Sequence, residues 1–198
     1  MTPVEHVVAI GRVLDSLGIA WVLGGSLASS IVGEPRSTMG VDIAVRMEAE
    51  RVASFVDAVR DDYYVDESMV NDAVLRCGSF NLIHSTTGMK IDLFALGDDV
   101  LDVRQLNRRE LVEVDVGVSI WVGAADDQVL RKLRWFRMGG EVSERQWRDV
   151  VSILRVQGSR ISVPELLAVA GPLGLAGLVE RVVLDAFGDP EDQNRDVH

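Results

Sequence analysis

"GGSLASSIVGEPRSTMGVDIAV", residues 24–45, decides the fold. Gly24 and Gly25 stand directly before a segment with helical spacing. Glycines there let backbone N–H groups approach an anion, and the dipole of the helix that follows favours negative charge. Ser26 adds a hydroxyl donor. Taken alone, such a turn is more often a plain tight turn. The end of the stretch, "GVDIAVRM", alternates in character. Val41, Ile43 and Val45 point one way; Gly40, Asp42, Ala44 and Arg46 point the other. The pattern predicts a strand that buries its apolar face and carries Asp42 on the opposite face, 16 residues beyond Ser26.

A second strand repeats the arrangement. "SFNLIHS" and "MKIDLFAL" flank "TTG" as a hairpin, with Ile91, Leu93 and Ala95 on one face and Lys90, Asp92 and Phe94 on the other. Two strand carboxylates on one sheet face beside a phosphate-binding turn suit Mg²⁺ or Mn²⁺ held against a triphosphate. The alternative is that each aspartate is a solvated residue on an exposed face.

Upstream, Thr2, Pro3 and Glu5 form a capping box ahead of a helix that Gly18 ends, and "IAWVL" follows as a short buried strand. Downstream, a helix is expected over 48–60, a short strand near 63–65, and a hairpin of "ELVEVDV" with "VSIWVGA". From Ala124 the periodicity turns helical, over about 125–138, 143–157, 163–170 and 173–187, with a capping box at Ser162 and Glu165. These readings predict an α/β (α+β) domain over 1–123 with a mixed central sheet. A helical bundle packs on it over 124–188, and a polar tail follows over 189–198.

The 198 residues are 47% hydrophobic, enough for one good core or a core domain with a helical appendage. A net charge of −11 argues against general binding to a nucleic-acid backbone, though it leaves room for a local basic groove. The single cysteine, Cys77, excludes a disulfide framework within the chain and fits a reducing cytoplasm. The N-terminus lacks the basic start and cleavage site of a signal peptide, and no apolar run reaches the ~18–20 residues of a membrane span. His6, His84 and His198 show no metal-ligand spacing with Cys77 or with one another.

The order "GGSLASS…GEPRSTM…VDIAV…MKIDLF" resembles the DNA polymerase β-like nucleotidyltransferase superfamily, and within it bacterial abortive-infection-type toxins and their relatives. The resemblance covers about residues 19–157. It implies that Gly24, Gly25 and Ser26 bind the triphosphate of an NTP and that Asp42 and Asp92 are metal-binding and catalytic. "DDQVLRKLRWFRMGGEVSERQWRDVVSIL" is similar to the superfamily's helical elements, which places Lys132, Arg148 and Asp149 at matching positions. Lys132 then neutralises phosphate charge, with Asp149 as its candidate partner; that pair is equally consistent with architecture. Arg36 and Thr38 approach from the loop, Arg36 towards nucleotide or towards a structural carboxylate. The basic run "RKLRWFR" reads as solvated.

The chain departs from the superfamily at Gly40, where the first aspartate of an Asp-x-Asp pair is expected. Its absence removes one oxygen ligand and one negative charge. Glu34 is the nearest acidic substitute. Three readings follow: a nucleotidyltransferase weakened at one metal, a non-catalytic nucleotide-binding or protein-interaction module, or a toxin–antitoxin component. The acceptor is an RNA, a protein or a small molecule, and no membrane is involved.

Overall fold

The computed structural model describes residues 1–188, so the expected polar tail over 189–198, His198 included, lies outside the described residues. Local signals at the N-terminus act as read. Thr2 Oγ1 accepts from Glu5 N at 3.2 Å, Glu5 Oε2 accepts from Thr2 N at 2.6 Å, and helix α1 runs Pro3–Ser16. Strand β1 (Ala20–Leu23) follows and leads through Gly24 into α2 (Gly25–Val32). The alternating segment forms β2 (Val41–Arg46). The helix expected over 48–60 is a single 3-10 turn at Ala49–Arg51 continued by α3 (Val52–Val59).

Next come β3 (Tyr63–Tyr64), α4 (Glu67–Arg76), β4 (Ser79–His84), β5 (Lys90–Ala95), α5 (Val100–Asn107), β6 (Glu110–Asp115) and β7 (Val118–Val122). Neither α4 nor α5 was expected. Both are short and half polar, so their helical period is faint. Each is started by an aspartate cap: Asp66 Oδ1 accepts from Met69 N at 3.0 Å, and Asp99 Oδ1 accepts from Leu101 N at 3.0 Å. The helical segments are α6 (Ala125–Met138), α7 (Glu144–Gln157), α8 (Val163–Ala170) and α9 (Ala176–Phe187).

The described chain divides into two compact units: residues 1–28 with 37–124, and residues 29–36 with 125–188. The first unit is built on one seven-stranded mixed sheet in the order β3-β4-β5-β2-β1-β7-β6. Strand β1 runs antiparallel to β2 and parallel to β7, while β2 runs parallel to β5. Trp21, Val41, Ile43, Val45, Ile91 and Leu93 fill one face of the sheet and are buried. Helix α1 lies on that face. Its Gly11 sits so close to the Trp21 indole that a Cβ there would come within 2.4 Å of the ring. The other face carries Ala20, Val22 and Ala44, which pack against Leu106 of α5 and Leu96. Because Asp42 shares this face with Ala44, α5 covers part of the surface on which the aspartates stand.

A buried polar group sits within the first unit's core. His6 Nδ1 shares a 2.8 Å hydrogen bond with the Tyr63 hydroxyl, and the His6 and His84 rings pack edge-on with centroids 4.8 Å apart. His84 Nδ1 accepts from Thr87 N at 3.2 Å. His6 is fully buried, and its Nε2 has no hydrogen-bond partner. Burial first, then the charges of His84 and the N-terminal amine, hold the His6 pKa below the ordinary histidine value; Glu5 works weakly against them. Burial, with the Asp62 carboxylate, pushes Tyr63 up to about 12. A depressed histidine binds fewer protons folded than unfolded, so its contribution is present above the unfolded pKa and lost as pH falls towards the folded one. The urea midpoint is therefore expected to drop between pH 7.5 and pH 5.5, and His6→Phe is expected to flatten that dependence. An unchanged slope in the variant would assign the effect elsewhere.

The second unit packs α6, α7, α8 and α9 around Val129, Leu130, Leu133, Val150, Ile153, Leu154, Val179 and Val182, all fully buried. The basic run is only partly solvated. Lys132 is buried, and Arg137 Nη1 donates to Gly174 O at 2.6 Å, tying α6 to the turn before α9. No helix among the described residues is long and apolar enough to cross a membrane.

Candidate functional site

The glycine turn is locked to β2 by its backbone. Gly24 N donates to Asp42 O at 2.8 Å, and Gly24 O accepts from Ala28 N at 3.2 Å as α2 begins. Gly25 has φ +61°, and a Cβ on it would lie 1.9 Å from Asp42 Oδ2. Both the backbone conformation and the available space therefore demand glycine at this position. The sequence signal "GG" is explained by the close approach of the Asp42 carboxylate as much as by any anion.

The register places the two aspartates side by side. Asp42 of β2 is the direct partner of Asp92 of β5, and Asp92 in turn faces Asn81 of β4. Directly paired residues point to the same face, and parallel neighbours lie about 4.8 Å apart. A polar row of Asp42, Asp92 and Asn81 therefore crosses three strands, with the glycine turn at its Asp42 end. Both aspartates are half-buried.

Lys90 modifies this row. Two residues before Asp92 on the same strand face, it puts Nζ 2.6 Å from Asp92 Oδ1. One residue before the start of β2, Gly40 lies at the level of Lys90, because Val41 pairs with Ile91. Gly40 is exposed, and a Cβ there would meet nothing within 4 Å. The missing carboxylate is thus absent from an open position and is not excluded by crowding. Thr38 Oγ1 accepts from Gly40 N at 3.4 Å, a loop role that orders the approach to β2.

The resemblance noted in the sequence implies divalent cations here, and the donor set limits how many. Among the described residues no group of three or more His, Cys, Asp or Glu is placed to hold a metal ion. Two adjacent carboxylates fit one divalent cation that arrives with its triphosphate and takes its other ligands from phosphate and water. They do not fit a pair of ions, which needs bridging and flanking carboxylates on both.

A separate cluster forms within the second unit. Asp149 is buried and accepts from Lys132 Nζ at 2.8 Å on Oδ2. Arg36 grips the same carboxylate with both arms, Nε to Oδ1 and Nη2 to Oδ2, each at 2.9 Å. Lys132 Nζ also donates to Gln146 Oε1 at 3.2 Å. Burial alone would raise the Asp149 pKa; the hydrogen bonds from Arg36 and Lys132, then their charges, outweigh it and hold the carboxyl below its ordinary value. Arg36 therefore meets a structural carboxylate, one of its two expected partners. Arg148 is exposed on α7 and takes no part in the cluster. The backbone N of Glu34 donates to Ser152 Oγ at 2.7 Å, which anchors its loop within the second unit.

Three residues escaped the sequence reading. Lys90 was legible from its two-residue spacing to Asp92. Asn81 needed the β4–β5 register. Gln105 sits in the buried stripe of α5 with Leu101 and Leu106, and a glutamine at an apolar helix position is the signal that was missed.

No protein-family model matches the chain, and no curated protein matches its sequence. Solved structures do share its fold. The solution structure of antibiotic-resistance factor ANT(2'')-Ia matches with TM-score 0.56 at 13% identity, over 91% of this chain and 98% of that one. An antigenic nucleotidyltransferase-like protein from Paracoccidioides brasiliensis matches with TM-score 0.55 at 15% identity, over 89% and 91%. Lincosamide antibiotic adenylyltransferase LnuA, with lincomycin bound, matches with TM-score 0.51 at 10% identity, over 78% and 96%. At these identities the likeness is one of fold, and the fold is that of nucleotidyltransferases.

Proposed function

We propose that the chain transfers a nucleoside monophosphate from an NTP to a hydroxyl or phosphate acceptor, using a cation site reduced to two carboxylates. The carrying observation is the direct pairing of Asp42 with Asp92 beside the glycine turn that opens α2. In this reading the N-terminus of α2 and the Ser26 hydroxyl bind the triphosphate. Asp42 and Asp92 would hold one Mg²⁺ or Mn²⁺, which when bound supplies charge screening and polarises the phosphate under attack. One of the two carboxylates orients the acceptor oxygen. That oxygen bonds to the α-phosphorus, a hydroxyl acceptor giving up its proton to solvent, as the bond from the α-phosphorus to the bridging β-phosphate oxygen breaks and pyrophosphate leaves.

Lys132 keeps its proposed role in neutralising phosphate charge. Two cations, Lys132 and Arg36, meet at the Asp149 carboxylate. Residues 1–123 form the nucleotide-binding part and 124–188 its helical companion, working in a reducing cytoplasm. The abortive-infection likeness narrows the acceptor to tRNA or a partner protein; a small molecule is the competing class.

A second reading, a nucleotide-binding module without transfer, draws on the Lys90–Asp92 pair and the open Gly40. Calorimetry with NTP and Mg²⁺, run beside a labelled-NTP transfer assay on RNA, protein and small-molecule acceptors, separates the two. Binding with no transfer supports the module. Gly40→Asp sharpens the choice, because the site has room for the side chain and the new carboxylate would face the same way as Asp42. If the chain is a weakened transferase, transfer is expected to rise about tenfold or more, the equivalent of ~1.4 kcal/mol in the barrier. A G40D variant that folds and transfers no faster would remove Gly40 from the account.

A further inference from the structure

Lys90 brings an ammonium into the polar row. It opens β5 two residues before Asp92 on the same strand face, and its Nζ lies 2.6 Å from Asp92 Oδ1. Lys90 is exposed and Asp92 half-buried, and ion pairs so placed add little to stability. What the contact changes is the electrostatics of the row. A carboxylate has two oxygens, so Asp92 can hold the ammonium on Oδ1 and offer Oδ2 to a divalent ion shared with Asp42.

The place of that ammonium matches the gap in the row. Val41 pairs with Ile91, so Gly40 comes level with Lys90, and a Cβ on Gly40 would meet nothing within 4 Å. An open glycine thus neighbours a cationic side chain that leans along its strand onto Asp92. Where two divalent ions serve a phosphoryl transfer they divide the labour, one at the attacking oxygen and one at the departing phosphates. Among the described residues no three His, Cys, Asp or Glu side chains are grouped to hold a metal, so the row lacks the carboxylates for a second ion. Exchanging one carboxylate and one divalent ion for a single ammonium leaves the charge presented to a triphosphate unchanged.

We propose that Lys90 is a catalytic residue whose ammonium, held by Asp92, stands in for a second divalent ion and stabilises the acceptor oxygen as it attacks. The inference rests on the transfer reading above and names the group that supports the nucleophile in it. Lys90 keeps its protons throughout. The proton of a hydroxyl acceptor passes to solvent, the new bond forms to the α-phosphorus, and pyrophosphate leaves with the electron pair of the broken bond. The ammonium donates a hydrogen bond to the oxygen that bears developing negative charge, and a charged donor does this more strongly than a neutral one.

The test pairs Mn²⁺ uptake by the full chain, read from the electron paramagnetic resonance signal of the free ion, with initial rates of labelled-NTP transfer. Lys90→Met removes the charge and keeps an unbranched side chain. It is expected to bind Mn²⁺ about threefold tighter or more, because the competing cation has left Asp92. Its transfer rate is nevertheless expected to fall about tenfold or more. Lys90→Arg keeps a cation and should fall between wild type and K90M in both measurements. Metal affinity and rate moving in opposite directions is the signature, which a lysine that only screens charge does not give. A K90M chain that transfers as fast as wild type, or faster, overturns the assignment and leaves the nucleotide reading standing. So does Mn²⁺ uptake unchanged in K90M, or a second Mn²⁺ held by wild type as tightly as the first. A wild-type chain that transfers to none of the RNA, protein and small-molecule acceptors overturns the assignment and the transfer reading together.

Discussion

Asp149→Asn is expected to destabilise the folded chain by about 3–5 kcal/mol, the effect of breaking a buried ion pair by neutralising one partner. The reason lies in what the variant leaves behind. Lys132 is 7% exposed, and its ammonium donates to Asp149 Oδ2 and to Gln146 Oε1. An asparagine keeps the shape but removes the negative charge that Arg36 and Lys132 share. Arg36, one-third exposed, can turn to water; Lys132 cannot do so without leaving its packed position on α6. In urea, with a slope of roughly 2 kcal/mol per M, the midpoint should fall by about 1.5–2.5 M. A double variant, Asp149→Leu with Lys132→Met, is expected to recover most of the loss, because replacing a buried pair with apolar residues of similar volume is often close to neutral. A D149N midpoint within ~0.3 M of wild type would show that Lys132 finds another partner or reaches solvent. A D149L/K132M double variant no more stable than D149N would show that the pair does more than neutralise charge.

Asp92→Asn is expected to cut NTP transfer by about a hundredfold or more while the fold stays as stable as before. The two halves of that expectation have separate causes. Removing one of two carboxylates from the polar row halves the protein's contribution to any cation that escorts the triphosphate, and several kcal/mol of transition-state stabilisation go with it. Stability is insulated because the pair that is broken, Lys90 with Asp92, stands at the surface. Lys90 is 56% exposed and returns to water, and exposed pairs contribute about 0–1 kcal/mol. Initial rates of labelled-NTP transfer and a urea melt on the same preparation give both numbers. Transfer that persists in D92N at the wild-type rate would remove the aspartate row from the chemistry and favour a different centre.

Much of this architecture is written in short-range patterns. The capping box at Thr2 acts within three residues of itself, so α1 is legible without any tertiary context. The β2 alternation is equally local: Val41, Ile43 and Val45 bury because every second side chain shares a face, and Asp42 must then point the other way. The helices after Ala124 announce themselves by their apolar spacing, and Asp149 with Lys132 by polar residues inside those stripes.

Other features belong to distance along the chain. Whether Asp42 and Asp92 meet depends on β5 pairing parallel with β2 in one register, and a slip of one residue would turn one of them to the opposite face. Strand periodicity carries no information on that choice. Gln105 comes to Gly24 because α5 packs on Val22 and Ala44, a contact between segments about 60–80 residues apart. Helix α5 is only eight residues long and carries Gln105 in its buried stripe, so its face is not declared beforehand.

Gly25 joins the two scales. Its position before a helix marks a turn, which the residue order alone establishes. That it must be glycine because the Asp42 carboxylate fills the space beside its Cα is settled only when the strand is in place. Local propensity chose the elements, and the burial of their apolar faces against one another chose which polar side chains were left to meet.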